Sequence, residues 1–280
     1  MEQKKVVVIS DVHLGYEYCD RTALNNFLDA LGKDPEVTDL VLLGDIVDMW
    51  RRDASGVFLE NRDTLDRIMD LPPSIRVHYV AGNHDYHVLR LRNSRNYFHY
   101  PISFSTDLTI TDGEFVYRFM HGYEFEYGTR DENPTMYEVM DALCHVMSDE
   151  EGAFEQDVWG LVTKAWSEIR YFLTTILLLK KRQVNFTAKM LQNSPETRLA
   201  DSIQDVDKRA FIEQGDKPKQ ILVYGHTHRP FINREENLVN SGSWVTDAAV
   251  HDTYVEISGG RPRLFVFGKG EILERLDISK

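Results

Sequence analysis

The stretch that most restricts the fold is Gly44-Asp45-Ile46-Val47-Asp48, which directly follows the run Asp39-Leu40-Val41-Leu42-Leu43. That run reads as a strand buried on both faces, the kind found in parallel sheets. A glycine and two carboxylates follow at its end. In open α/β sheets, ligands bind in the crevice beyond the carboxyl ends of strands. An aspartate there carries a full charge on two oxygens and can bridge two metal ions, which makes Asp45 the candidate bridge.

The same ending recurs along the chain. Residues 5–9 are a short apolar strand that stops at Ser10-Asp11-Val12-His13. The run from Arg76 to Ala81 stops at Gly82-Asn83-His84-Asp85. Shorter alternating strands fill 104–120, and the one at Phe115–Phe119 leads to His121-Gly122. The run Gln220-Ile221-Leu222-Val223-Tyr224 leads to Gly225-His226-Thr227-His228. Helical patterns over 20–32 (Leu24, Phe27, Leu28 and Leu31 on one face) and over 60–71 separate the first three strands. This strand–helix–strand rhythm predicts βαβ units and a partly parallel sheet.

Residues 131–215 have another character. Long helical patterns cover Met136–Met147, Val158–Leu179 and Arg198–Gln214, and predict an inserted helical cap subdomain between core segments 1–130 and 216–280. The tail, with Thr253–Ile257, Arg263–Phe267 and Ile272–Leu276, reads as an antiparallel meander closing a second sheet. The 280 residues suffice for such a core plus insertion.

The net charge of −13 argues against an extended nucleic-acid interface, which needs a basic face. Cys19 and Cys144 fall in no CxxC pattern and read as free thiols of a reducing compartment. The N-terminus runs straight into Val6, leaving no room for a signal-peptide apolar region. The longest apolar stretch, Tyr171–Leu179, is too short to span a bilayer. A cytoplasmic protein without a transmembrane segment is the expectation.

Asp, Asn and His are hard-to-borderline metal ligands. In Asp11-x-His13 and His226-x-His228, side chains two apart share one face of an extended segment, so each pair can converge on one centre. Singly, each motif has a plain structural reading as a core histidine or a turn. Five at strand ends point to a metal centre.

Together these motifs resemble the calcineurin-like metallophosphoesterase superfamily. The resemblance implies a four-layer α/β/β/α sandwich around two divalent metals, with Mn²⁺ favoured and Fe or Zn²⁺ as alternatives. Carried over by motif, Asp11, His13 and His228 hold the first metal, Asn83, His121 and His226 the second, and Asp45 bridges them. His84 resembles the histidine that contacts the phosphoryl oxygen or leaving group, with Asp85 placed to orient it and Asp48 supporting from behind. Two cations about 3.5–4 Å apart would generate a bridging hydroxide for in-line attack on phosphorus. Within the superfamily the motifs Ser10-Asp11-x-His13-Leu14-Gly15, Gly44-Asp45-x-x-Asp48-x-Trp50 and Asn240-Ser241-Gly242-Ser243-Trp244 are most similar to UDP-2,3-diacylglucosamine hydrolases. Those enzymes usually have arginine where this chain has His84.

Arg51, Arg52, Arg90, Arg92 and Arg95 flank the Asp48 and Asp85 motifs and are candidates for binding a second anionic group, since guanidinium suits phosphate. The apolar insertion, with Trp159, Trp166, Tyr171, Phe172 and Ile176–Leu179, is either the cap's own core, a dimer surface or an acyl groove. The expected function is hydrolysis of a phosphodiester or pyrophosphate bond in a phosphorylated small-molecule or lipid-linked substrate. The alternatives are a nuclease or cyclic-nucleotide phosphodiesterase on the same site, and a non-catalytic scaffold. Homodimerisation is left open.

Overall fold

A computed structural model describes residues 5–93, 101–125, 206–215 and 217–271, without the side chains of 92 and 93. The insertion helices expected over 136–147 and 158–179, most of the one over 198–214, the strand 272–276, Cys144, the Arg92 side chain and Arg95 lie outside these residues. Among the described residues no helix is long and apolar enough to cross a membrane.

The chain opens with β1 (Lys5–Ile9), α1 (Arg21–Leu31), β2 (Val37–Leu43), α2 (Ala54–Glu60), α3 (Arg62–Met69), β3 (Arg76–Val80) and β4 (Ile102–Ser105). The four strands lie side by side and parallel, as the alternation of strands and helices predicts. β-branched residues fill β1, and its side chains alternate between two cores. Val7 and Ile9 meet α1, whereas Val6 and Val8 face a second sheet. α1 starts where the Asp20 carboxylate accepts from the Ala23 amide at 2.9 Å, and it buries Leu24, Phe27, Leu28 and Leu31.

The helix read over 60–71 begins earlier and is broken. Asn61 separates α2 from α3, because its buried side chain donates to the Val57 carbonyl at 2.8 Å and its own φ is −113°. The apolar periodicity carries across this break.

The second sheet has β5 (Asp107–Asp112), β6 (Phe115–Met120), β7 (Gln220–Tyr224), β8 (Phe231–Asn233) and β9 (Leu238–Asn240), in the order β5-β6-β7-β9-β8. Between the sheets, Val6, Val8, Val41, Leu43 and Val80 pack on Tyr117, Phe119, Ile221, Val223 and Val239. On the far side of the second sheet, Leu222 and Tyr224 pack on Val206 and Ala210 of helical residues 206–214. The described residues thus stack as helix, sheet, sheet and helix.

The tail corrects one expectation. β10 (Thr253–Ser258), β11 (Arg261–Val266) and β12 (Gly270–Glu271) do form an antiparallel meander, but β10 pairs with β1. The meander therefore extends the first sheet to seven strands, in the order β12-β11-β10-β1-β2-β3-β4. The crossing is made by the loop holding Trp244, whose indole packs against Phe27 and Phe267 of the first layer.

At the amino ends of the parallel strands, buried Asp39 of β2 holds neighbouring strands together. Its carboxylate meets His78 Nε2 at 2.8 Å and accepts from the Arg76 guanidinium at 2.8 Å. These partners outweigh burial and hold the carboxyl below its ordinary value. Such a group stabilises the fold fully above its unfolded pKa near 3.9 and loses that contribution as pH falls through the folded value. Asp39→Ala should cost about 1–3 kcal/mol at neutral pH. Denaturant titrations of both proteins should show the gap constant above about pH 4 and narrowing below it; an equal midpoint at pH 7 would refute the role.

Candidate metal centre

Ser10, Gly44, Ala81, His121 and Gly225 each follow a strand at the same edge of the two sheets, and the loops they open meet there. The first two loops zip together past the sheet. The Asp11 amide donates to the Gly44 carbonyl (3.0 Å), that of His13 to Asp45 (2.8 Å) and that of Leu14 to Ile46 (2.9 Å). Asp11 also receives the Trp244 amide on its carbonyl at 3.0 Å.

The side chains converge by a different local geometry from the extended one expected. Asp11, His13, Asp45, His226 and His228 all have left-handed backbone, with φ of 52°, 54°, 53°, 67° and 56°. Only Asn237 and Asp252 share this among the other described non-glycine residues. The conformation costs roughly 1–2 kcal/mol per residue and persists where the surroundings over-determine it. The turn at every second residue brings Asp11 and His13 together with His228. His226 goes instead to Asp45 and His121, so the two histidines of the last motif serve different groups. In each group the ligand-type atoms lie within 4.8 Å of one another.

Asp45 Oδ2 stands between the groups, 3.1 Å from His121 Nε2 and 3.9 Å from His13 Nε2. Its other oxygen accepts the His84 amide at 2.9 Å. Both Asp11 oxygens accept the His226 amide, and Oδ1 lies 3.3 Å from His228 Nε2. Glycine makes the close approach feasible at two points. A Cβ on Gly82 would sit 2.1 Å from Asp45 Oδ1, and one on Gly44, itself at φ +81°, would sit 2.3 Å from the His121 ring.

The donor set fits divalent cations. His121 Nδ1 lies 2.8 Å from the Leu43 carbonyl, which fixes one proton there and turns Nε2 toward Asp45 and Asp11; against burial, their charges raise the His121 pKa well above its ordinary value, and a bound cation would take the place of the second proton. Asn83 Oδ1 is buried without a hydrogen-bond partner, an acceptor that a bound cation would satisfy. His13 is turned the same way, with Nδ1 2.9 Å from Asp48 Oδ2. Burial outweighs the help of Asp48 and lowers the His13 pKa to about 4, so its imidazole is neutral at pH 7 and able to ligate. For Asp11 burial works against ionisation, but His228 and His121 outweigh it and bring the pKa to about 2. Asp45 is likewise held well below the carboxylate range by His121 and His84 against burial.

Asp48 does more than the motif discloses. Its second oxygen lies 3.0 Å from His84 Nδ1 and accepts the Trp50 and Arg51 amides at 3.1 and 3.0 Å. Asp48 therefore orients both His13 and His84. Asp85, expected to orient His84, is turned away from it. Its oxygens accept from the Ile46 amide (2.7 Å), the Gly82 amide (2.6 Å) and the Tyr79 hydroxyl (2.6 Å), so it shapes the loops that carry Asp45 and Asn83. The His84 ring stacks on Trp50 with centroids 4.3 Å apart. Sequence reading missed Tyr79, Trp50 and the Leu43 carbonyl as supports. The position of Trp50 two residues past Asp48 was the one signal for it.

The arginines lie differently from expectation. Arg51 is paired with Asp48 and its guanidinium covers the Tyr16 ring at 4.1 Å. Arg52 is paired with Glu60 and Asp53 at the two ends of α2. Both are committed to carboxylates of the protein. Arg90 is exposed on the 3₁₀ helix Tyr86–Asn93 that follows Asp85.

Two substitutions test this geometry. Gly82→Ala should abolish metal retention, because its Cβ meets Asp45 backbone as well as carboxylate; full metal content by elemental analysis would refute the cradle. Asp48→Asn should weaken metal affinity about 10–100-fold by loosening His13. Unchanged affinity in a competition assay with a chelator would show that the Asp48 contact is incidental.

A family model described as calcineurin-like phosphoesterase matches residues 4–230. The chain is 27% identical over 256 residues to the UDP-2,3-diacylglucosamine hydrolase of Escherichia coli O139:H28, covering 86% of this chain and 92% of that protein. The enzyme of the same name from Shigella flexneri matches with the same identity and coverage. A dimetal phosphatase from Danio rerio is similar at a TM-score of 0.42 and 14% identity, over 94% of this chain and 99% of that one. The match over 4–230 covers the strands that end in Asp11, Asp45, Asn83, His121 and His228, and on it the chain belongs to the calcineurin-like phosphoesterase family, as a metal-dependent phosphoesterase.

Proposed function

We propose that the protein is a binuclear hydrolase of phosphodiester or pyrophosphate bonds. In this reading Asp11, His13 and His228 would hold one cation, Asn83, His121 and His226 the other, and Asp45, which lies between the two groups, would serve both. The observation that carries it is the convergence of Asp11, His13 and His228 in one group and Asp45, His121 and His226 in a second, with Asp45 Oδ2 3.1 Å from His121 Nε2 and 3.9 Å from His13 Nε2. Two bound divalent cations would supply an activated water and neutralise charge on the phosphoryl oxygens. Oxygen and imidazole ligands without sulfur suit Mn²⁺, Fe or Zn²⁺, and Mn²⁺ is the working assignment.

The protein's own residues supply the rest. Asp48 and Asp45 outweigh burial and raise the His84 pKa, which favours the protonated ring. With Nδ1 turned to Asp48, Nε2 is the atom to donate a proton to the departing oxygen. Trp50 and Asp48 hold that ring in one orientation, so the proton is delivered from a fixed position. Arg90 is the arginine this reading assigns to an anionic part of the substrate.

The substrate class we infer is a nucleotide-linked or lipid-linked phosphate. The likeness to UDP-2,3-diacylglucosamine hydrolases over most of both chains supports it. The division into a core of 1–130 and 216–280 with a helical cap of 131–215 belongs to the same proposal, as does a cytoplasmic setting. The residues flanking the cap on both sides enter one sheet, β6 beside β7.

Metal-stripped protein, reloaded with Mn²⁺, is tested on a nitrophenyl monoester, a bis-nitrophenyl diester, a UDP-sugar, a UDP-diacyl-sugar and single-stranded DNA. Mn²⁺-dependent turnover of the diester or a UDP compound is expected. His84→Ala should lower kcat about 10²–10⁴-fold at unchanged metal content. Turnover of DNA alone would replace the reading with a nuclease, and turnover of none with two metals bound would overturn it.

A further inference from the structure

Outside that centre, one other group among the described residues brings three ligand-type atoms within 4.8 Å of one another: Asp20, His251 and Asp252. Asp20 is the N-cap of α1 and holds the Ala23 amide through Oδ1. His251 and Asp252 end the crossing loop immediately before β10. The Asp20 amide donates to the Trp244 carbonyl at 2.9 Å, which fastens the start of that loop to the start of α1.

The atoms within the group are not satisfied by one another. His251 Nδ1 lies 2.9 Å from Asp252 Oδ2, yet this nitrogen is buried and makes no directed hydrogen bond. Asp252 is 9% exposed, and its buried Oδ1 has no partner either. A proton on Nδ1 would be expected to point at the carboxylate and does not. The same signature marks the main centre, where His121 Nε2 lies 3.1 Å from Asp45 Oδ2 without a directed bond. A cation held between His251 Nδ1 and the Asp252 carboxylate oxygen would satisfy both, where a proton on the nitrogen gives only a bent ion pair. Burial pushes the Asp252 pKa up against the pull of His251, and Asp20, a second carboxylate, adds to the rise.

We propose that Asp20, His251 and Asp252 form a third divalent-cation site, separate from the phosphoesterase centre. Two carboxylates and one imidazole suit a Zn²⁺-class ion, with water completing the coordination. Its role is structural. It staples the crossing loop to the N-terminus of α1. The same loop holds the ligand loop through the Trp244 amide on the Asp11 carbonyl.

The test is a metal count on the full chain, equilibrated with Zn²⁺ at buffered free concentration and measured by elemental mass spectrometry. Asp252→Asn and His251→Gln should each bind one equivalent fewer per chain than the parent protein while keeping its nitrophenyl-ester turnover. Repeating the count in an Asp45→Asn background separates this site from the main centre, since the lost equivalent should persist there. In that background Zn²⁺ should raise the melting temperature of the protein with His251 and not of His251→Gln. Because His251 is partly exposed, its substitution is the safeguard should Asp252→Asn fold poorly. Equal metal content in the parent and His251→Gln would overturn the proposal and leave the group as an ion pair.

Discussion

Three carboxylates set the terms for the rest of this molecule. Asp11, Asp45 and Asp48 are 0%, 2% and 0% exposed, and all three are held as anions. Burying one ionised carboxylate costs several kcal/mol even after relaxation, and burying three together adds their mutual repulsion. The compensation visible in the protein is directional. Amides of His226, His84, Trp50 and Arg51 point at their oxygens, and Arg51 neutralises Asp48. Four histidines complete the ring around Asp11 and Asp45. Bound divalent cations would offset the remaining negative charge, and binding them to the folded state alone would add stability by mass action. The two-layer core supplies the stability on which this concentration of charge is imposed.

The backbone accepts part of the same burden. Five residues of the centre sit in a conformation that side chains disfavour, and the two sheets hold them there through amide-to-carbonyl bonds across loops. Glycine occurs where one loop must touch another, and the space a Cβ would need at Gly82 is filled by the Asp45 carboxylate. Chemistry and fold are joined at that contact: position 82 cannot bear a side chain without displacing Asp45, which lies between the two groups.

The strands, their parallel order and the residues that meet at their ends were legible because each rests on a local signal. Four β-branched residues in β1 need no distant partner to be recognised, and a Gly-Asp or Gly-His ending marks a strand end wherever the strand goes. What escaped was non-local. The tail strands read as a meander whichever sheet they join, since alternation fixes a strand's faces and not its neighbour; pairing with β1 is settled by Trp244 docking on Phe27. The break at Asn61 escaped because a side-chain bond to Val57 overrides a continuous apolar period. The orienting role given to Asp85 rested on its being next to His84. Adjacent residues on a tight turn point apart, and the carboxylate that reaches the ring comes from another loop.

The arginines show why proximity in sequence is a poor guide to substrate recognition. Arg51 and Arg52 follow Asp48 directly, but an aspartate shared between two imidazoles needs its own counter-ion, and Arg51 is spent on that need. Arg52 closes on Glu60 across α2 and on its neighbour Asp53, the N-cap of that helix. The core thus commits its nearest cations to building the centre rather than to reading a substrate. Arg90 lies apart from these, exposed on the short helix that follows Asp85. A family that keeps one centre and changes its substrates needs this separation: the residues that hold the metals are fixed by their mutual contacts, and specificity can vary only where those contacts end.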